Sequence, residues 1–215
     1  MLTEILTGVQ FSCIIPAAIS ICLFKKIEPR YYLLCLMMIV DVVVEVCNHL
    51  GDANGFFNLY GCINSMLFLT FIYSNNYLGK KRFQLLFLMV LICYSIVFIK
   101  NGMVAKPSYF IISLFQGVHL FIVTDILTKQ IFATKSALAA NFWFWFSGAC
   151  VLYYGYALLL FGLSTLGLKS TVYYESMQSI WNIINLTYYL LLSVAIVKIS
   201  KHNSPSLLVH KLKYN

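Results

Sequence analysis

Charge is scarce in this chain. Only 10% of its 215 residues are Asp, Glu, Lys or Arg, where a soluble domain carries about a quarter. An ordinary soluble domain is excluded, and no stretch is polar enough to form a separate catalytic or kinase domain. Any such activity has to come from a partner. No Cys-x-x-Cys pair occurs among the seven cysteines, which argues against a zinc or thiol-redox motif. The scattered cysteines read instead as small apolar packing residues. Only His49 and His119 lie in or near apolar stretches, His202 and His210 being close to the C-terminal end. A zinc site of three histidines therefore cannot be assembled at one depth. No lysine sits in the middle of an apolar stretch, which excludes a retinal Schiff base. The Pro-Gln pair usual in sugar carriers of three-plus-one-plus-three helices is missing as well. The first apolar stretch lacks a basic start, its only early charge being Glu4, so it reads as a retained helix and not as a cleaved signal.

What is abundant is apolar sequence, at 61% of residues. Seven stretches approach the roughly 20 residues needed to cross a bilayer: 5–24, 31–50, 57–76, 83–99, 108–128, 142–162 and 177–197. The sequence thus predicts an all-α membrane protein, a seven-transmembrane-helix bundle over residues 1–200 followed by a basic cytoplasmic tail over 201–215. Short connections make consecutive helices antiparallel neighbours. All but three of the 15 basic residues, Lys100, Lys106 and Lys169, follow odd-numbered stretches. The positive-inside rule then puts the N-terminus outside and the C-terminus in the cytoplasm of a multi-pass protein of the cytoplasmic (inner) membrane. The net charge of +8 is this signal plus contact with anionic lipid of the bilayer, not a sign of nucleic-acid binding. Cys47 and Cys62 flank the turn 51–55 symmetrically, which leaves both a disulfide and two free thiols open.

Three ionisable residues stand out inside the second stretch. Asp41, Glu45 and His49 are spaced i, i+4, i+8 and share one helical face. A carboxylate at the bilayer centre costs about 2.5–3.5 kcal/mol on insertion scales, so that face must look into protein or a wet cavity. Two carboxylates in one cavity also repel, which disfavours both carrying charge at once. Counting about 1.5 Å per residue from helix midpoints, Asn64, Gln116, His119, Tyr153, Trp181 and Asn185 fall at the same middle-to-outer depth. The candidate ligand-binding set is therefore Asp41, Glu45, Asn64, Gln116, His119, Tyr153, Trp181 and Asn185. Tyr153, Tyr154 and Tyr156 cannot all face one pocket. Asp125, four residues before Lys129, reads as a structural ion pair. The segments Tyr60-Gly61-Cys62-Ile63-Asn64 and Trp181-Asn182-Ile183-Ile184-Asn185 share an aromatic-x-x-Ile-Asn pattern, as a three-plus-one-plus-three internal repeat would give.

Length, the Glu45 carboxylate on helix 2, the Phe142-Trp143-Phe144-Trp145 start of helix 6 and the Trp181–Asn185 segment together resemble a group of functionally unassigned small bacterial seven-helix membrane proteins. That resemblance implies an accessory of a sensory histidine kinase and supplies neither ligand nor catalytic residue. The expected function is an integral membrane sensor or receptor-like protein. It would bind a small polar or cationic ligand in an outward-facing intramembrane cavity and signal through a membrane-bound partner or a homo-oligomer. The alternative is a proton-coupled transporter using Asp41 and Glu45, disfavoured by the few polar residues in the inner half. A metal-dependent hydrolase ranks third, because neither a nucleophile–base pair nor a complete metal set is visible. No catalytic residue, cofactor or resident metal is expected.

Overall fold

Backbone amides inside a bilayer find no water, so an apolar chain satisfies them within helices. The computed structural model describes residues 11–50, 57–101, 108–133, 138–166 and 172–202, and among these there is no strand. The α-helices are α1 (Ile14–Leu23), α2 (Tyr32–Leu50), α3 (Phe57–Ser74), α4 (Lys80–Asn101), α5 (Tyr109–Ala133), α6 (Phe142–Thr165) and α7 (Val172–His202). Four of them contain stretches long and apolar enough to cross a membrane: Lys80–Lys100, Tyr109–Phe132, Phe142–Thr165 and Ser179–Ser200. This supports a membrane protein. The turn 51–55, most of the connection 100–107 and the tail from 203 onward lie outside the described residues, as does the start of the first expected span.

The later helices outrun their apolar cores. The fourth span, the shortest by hydropathy, is a 22-residue helix because it starts at Lys80 and runs through Lys81 and Arg82. Long basic side chains tolerate the helical backbone and carry their charge to the interface. The last helix has 31 residues. Helix ends are set by local chemistry. Asn76 has a left-handed φ of 64°, Asn76 N–H bonds to the Tyr73 carbonyl and Tyr77 N–H to the Ile72 carbonyl. That pair of bonds is a Schellman stop, with Asn at the position that Gly more often fills. At the start of α6, the Asn141 side chain accepts from Trp143 N–H at 2.9 Å. Gln130 ties this cap to the end of α3: it accepts from Asn141 Nδ2 at 2.5 Å and donates to the Tyr77 hydroxyl at 2.8 Å.

The helices pack in a ring. α1 lies against α2 and α7, α2 against α3, α3 against α4, α5 against α6, and α6 against α7. Helix α4 is the most peripheral of the four spanning candidates, with only 17% of its apolar stretch buried and Leu85, Leu88, Ile92 and Ile96 exposed. Where α2 begins, α3 ends and α6 begins, aromatic rings fill the centre. Phe71 lies 5.3 Å from Phe146 and 5.6 Å from Trp143, and Tyr31 meets Phe142 edge-on at 5.0 Å. Phe68, Phe71 and Ile72 have no exposed surface. These rings form an aromatic plug that joins α3 to the starts of α2 and α6. The expected Asp125–Lys129 ion pair is present at 2.6 Å and is half exposed.

Candidate functional site

The opposite half of the bundle holds a cavity of about 270 Å³. It is lined from the C-terminal halves of α2, α4 and α6 and the N-terminal halves of α3, α5 and α7, which meet at one end of the molecule because the helices alternate in direction. All eight sequence-predicted residues line it: Asp41 and Glu45 from α2, Asn64 from α3, Gln116 and His119 from α5, Tyr153 from α6, and Trp181 and Asn185 from α7. The side chain of His49, the third member of the ionisable stripe, lies outside the described residues.

Asp41 anchors the cavity and is only 7% exposed. The Tyr60 hydroxyl donates to its Oδ1 at 2.7 Å and the Tyr189 hydroxyl to its Oδ2 at 3.3 Å. Asn64 Nδ2 in turn donates to the Tyr60 oxygen at 3.1 Å. Each carboxylate oxygen thus has a phenol donor, the kind of compensation a buried charge requires. Glu45 is half-buried, one turn nearer the open end. The sequence reading missed both tyrosines as site residues. The signal was present: Tyr60 lies four residues before Asn64 and Tyr189 four after Asn185, so each shares a helical face with a predicted amide.

Aromatic rings form one wall. Tyr153 lies 5.1 Å from Trp181 and stacks on Tyr188 at 4.4 Å. Phe161 stands edge-on to Trp181 at 6.1 Å and stacks with Tyr109 at 6.1 Å. The three helix-6 tyrosines divide as α-helical geometry demands. Tyr153 faces the cavity, Tyr154 is buried 5.6 Å from Phe68, and Tyr156 donates to the Met177 carbonyl at 2.8 Å. Quadrupolar ring faces beside carboxylates suit a cation.

On α5, His119 is 3% exposed and its ring lies between Phe68, at 4.3 Å, and Tyr154, at 5.0 Å. Among the described residues neither of its ring nitrogens has a hydrogen-bond partner, nor does the buried Oε1 of Gln116. Cys47 and Cys62 are both free thiols, Cys47 exposed and Cys62 buried. They differ in burial because Cys47 lies off the cavity face of α2, while Cys62 packs inward beside Met66, with Sγ 3.8 Å from the Met sulfur. Among the described residues no group of three or more His, Cys, Asp and Glu side chains converges on a common point.

Gly61 shapes the floor. A Cβ there would sit 2.5 Å from the Tyr94 hydroxyl, and Tyr94 is 1% exposed, so its ring has little room to retreat. Gly61→Ala is expected to destabilise the protein by about 1–3 kcal/mol through overpacking. Tyr94→Phe, which removes the clashing oxygen, should recover part of that loss. Thermal unfolding of the two single variants and the double variant measures the coupling; strict additivity would rule out the contact.

Fold and site together define an all-helical membrane protein with a buried carboxylate in an aromatic-walled cavity. No family model, curated protein or solved structure matches the chain.

Proposed function

We propose that the chain is a multi-pass sensor or receptor-like protein of the cytoplasmic membrane, with seven spans and its N-terminus outside. It binds a small organic cation in the cavity and signals through a membrane partner or a second copy of itself. One observation carries this reading: a buried carboxylate, held by Tyr60 and Tyr189, shares a 270 Å³ cavity with Glu45 and an aromatic wall. Cation–carboxylate attraction in a low-dielectric site is far stronger than in water, and ring faces add to it. The loop charges support an orientation with the cavity end outside. A tag at Asn215 that reagents reach from outside intact cells would overturn this orientation.

The aromatic rings around Phe71 and Phe146 pack the inner side of α3 and α6 below the cavity, which supports sensing over transport, although a second cavity between α4 and α5 reaches Arg82, Asp125 and Lys129. The alternative, a proton-coupled carrier with Asp41 and Glu45 as proton acceptors, rests on Asp41 lying mid-helix and buried. Calorimetry on the purified protein with propylamine and tetramethylammonium separates binding from its absence. Glu45→Gln is expected to weaken propylamine at least about tenfold, the scale of one charge-assisted hydrogen bond. Unchanged affinity would remove Glu45 from the site. Tetramethylammonium flux into reconstituted vesicles that Glu45→Gln abolishes would establish the carrier in place of the sensor.

A further inference from the structure

The cavity is lined by two chemically different polar groups on different helices. α2 contributes Asp41 and Glu45. α5 contributes Gln116 and His119, with three buried polar atoms that have no partner among the described residues: Gln116 Oε1, His119 Nδ1 and His119 Nε2. Nearly all buried polar groups in folded proteins are hydrogen-bonded, and an unmet one costs about as much as a lost bond. His119 cannot turn to a protein partner, because its ring is held between Phe68 and Tyr154. It is 3% exposed and lines the cavity.

The unmet set has a definite polarity. An uncharged imidazole offers one N–H donor and one bare nitrogen acceptor whichever tautomer is present, and an amide oxygen only accepts. The group that complements them must both donate and accept. The two ring nitrogens point away from each other, so one ligand group meets Gln116 Oε1 and a single ring nitrogen; a primary carboxamide or a hydroxyl, each able both to donate and to accept, matches that pair in either tautomer. A carboxylate has no proton to give to Gln116 Oε1 and would share the cavity with Asp41 and Glu45. An alkyl end leaves all three atoms unmet.

We propose that the ligand is a small bifunctional ammonium compound. Its cationic end is held by Asp41 and Glu45, and its other end is an uncharged carboxamide or hydroxyl read by Gln116 and His119. This rests on the cation-binding reading above and narrows it from any organic cation to an amino-amide or amino-alcohol. Size agrees: 270 Å³ is the liquid volume of about nine water molecules, room for a chain of several heavy atoms between two polar ends.

Four compounds of similar length test it: β-alaninamide, propanolamine, propylamine and β-alanine. Binding is measured by calorimetry on the full chain in detergent micelles, for the wild type, Gln116→Leu and His119→Phe. Each variant's thermal unfolding is followed to show that it folds. In the wild type, β-alaninamide is expected to bind about tenfold more tightly than propylamine, with propanolamine also tighter than propylamine and β-alanine weakest. In Gln116→Leu and His119→Phe the ratio of β-alaninamide to propylamine should shrink towards unity. If propylamine binds and β-alaninamide binds no better, the two-ended ligand is wrong while the cation site stands. A preference that survives both substitutions would equally overturn the role of Gln116 and His119. If none of the four binds, the cation site falls and the two-ended ligand with it. Should a variant fail to fold, the wild-type ranking alone decides.

Discussion

Asp41→Ala is expected to abolish propylamine binding and to lower the melting temperature of the protein. The two losses have different origins. Binding is lost because the carboxylate is the deepest negative charge in the cavity. Stability is lost because the hydroxyls of Tyr60 and Tyr189, which donate at 2.7 and 3.3 Å, are left without their acceptor. A stranded buried donor costs about 1–3 kcal/mol. Asp41→Asn keeps an acceptor oxygen for one tyrosine, so stability should fall in the order wild type, Asn, Ala, while both variants lose the charge. Thermal unfolding in micelles reads the first effect and calorimetry the second. If Asp41→Ala proves more stable than the wild type, the phenol bonds do not offset the burial of this carboxylate.

Phe71→Ala should be the most destabilising single change in the aromatic plug. Phe71 has no exposed surface and packs with rings from the turn before α2 and from α6: Tyr31 at 6.3 Å, Phe142 at 6.5 Å, Trp143 at 5.6 Å and Phe146 at 5.3 Å. Phe→Ala in a packed core costs about 3–5 kcal/mol. The lower end is expected here, because lipid tails are themselves apolar and the loss is mainly of packing contacts. Unfolding titrations in mixed micelles measure it. The same variant tests access through this end: in the sensor reading, the hole it leaves should let tetramethylammonium leak across vesicle membranes that the wild type keeps tight. A loss below about 1 kcal/mol would mean that the ring cluster does not hold the bundle together.

The cavity was legible because membrane helices simplify the problem. A carboxylate such as Asp41 or Glu45 cannot face hydrocarbon, and helical period plus rise converts sequence position into face and depth. Depth alone brought Asn64, Gln116, His119, Tyr153, Trp181 and Asn185 to one level, and all of them line the cavity. Tyr60 and Tyr189 escaped because tyrosine is common here, with 15 in the chain. Nothing in a single sequence distinguishes a tyrosine that donates to a carboxylate from one that packs in the core, as Tyr154 does. The free thiols of Cys47 and Cys62 were equally beyond the sequence, since equal depth does not fix the direction in which a side chain points.

Composition and periodicity by themselves determined the helical class, the buried stripe on α2 and the polar level to which the other helices contribute, because each depends only on hydropathy and on distance along one helix. The tertiary structure alone decided which groups meet across helices. It set the tyrosines on Asp41, joined α3 to α6 with Phe71, Phe142 and Phe146, and left Gln116 Oε1 and both His119 ring nitrogens without partners among the described residues. Rotation of each helix about its own axis fixes those meetings, and that rotation is settled by the packing of all the helices together.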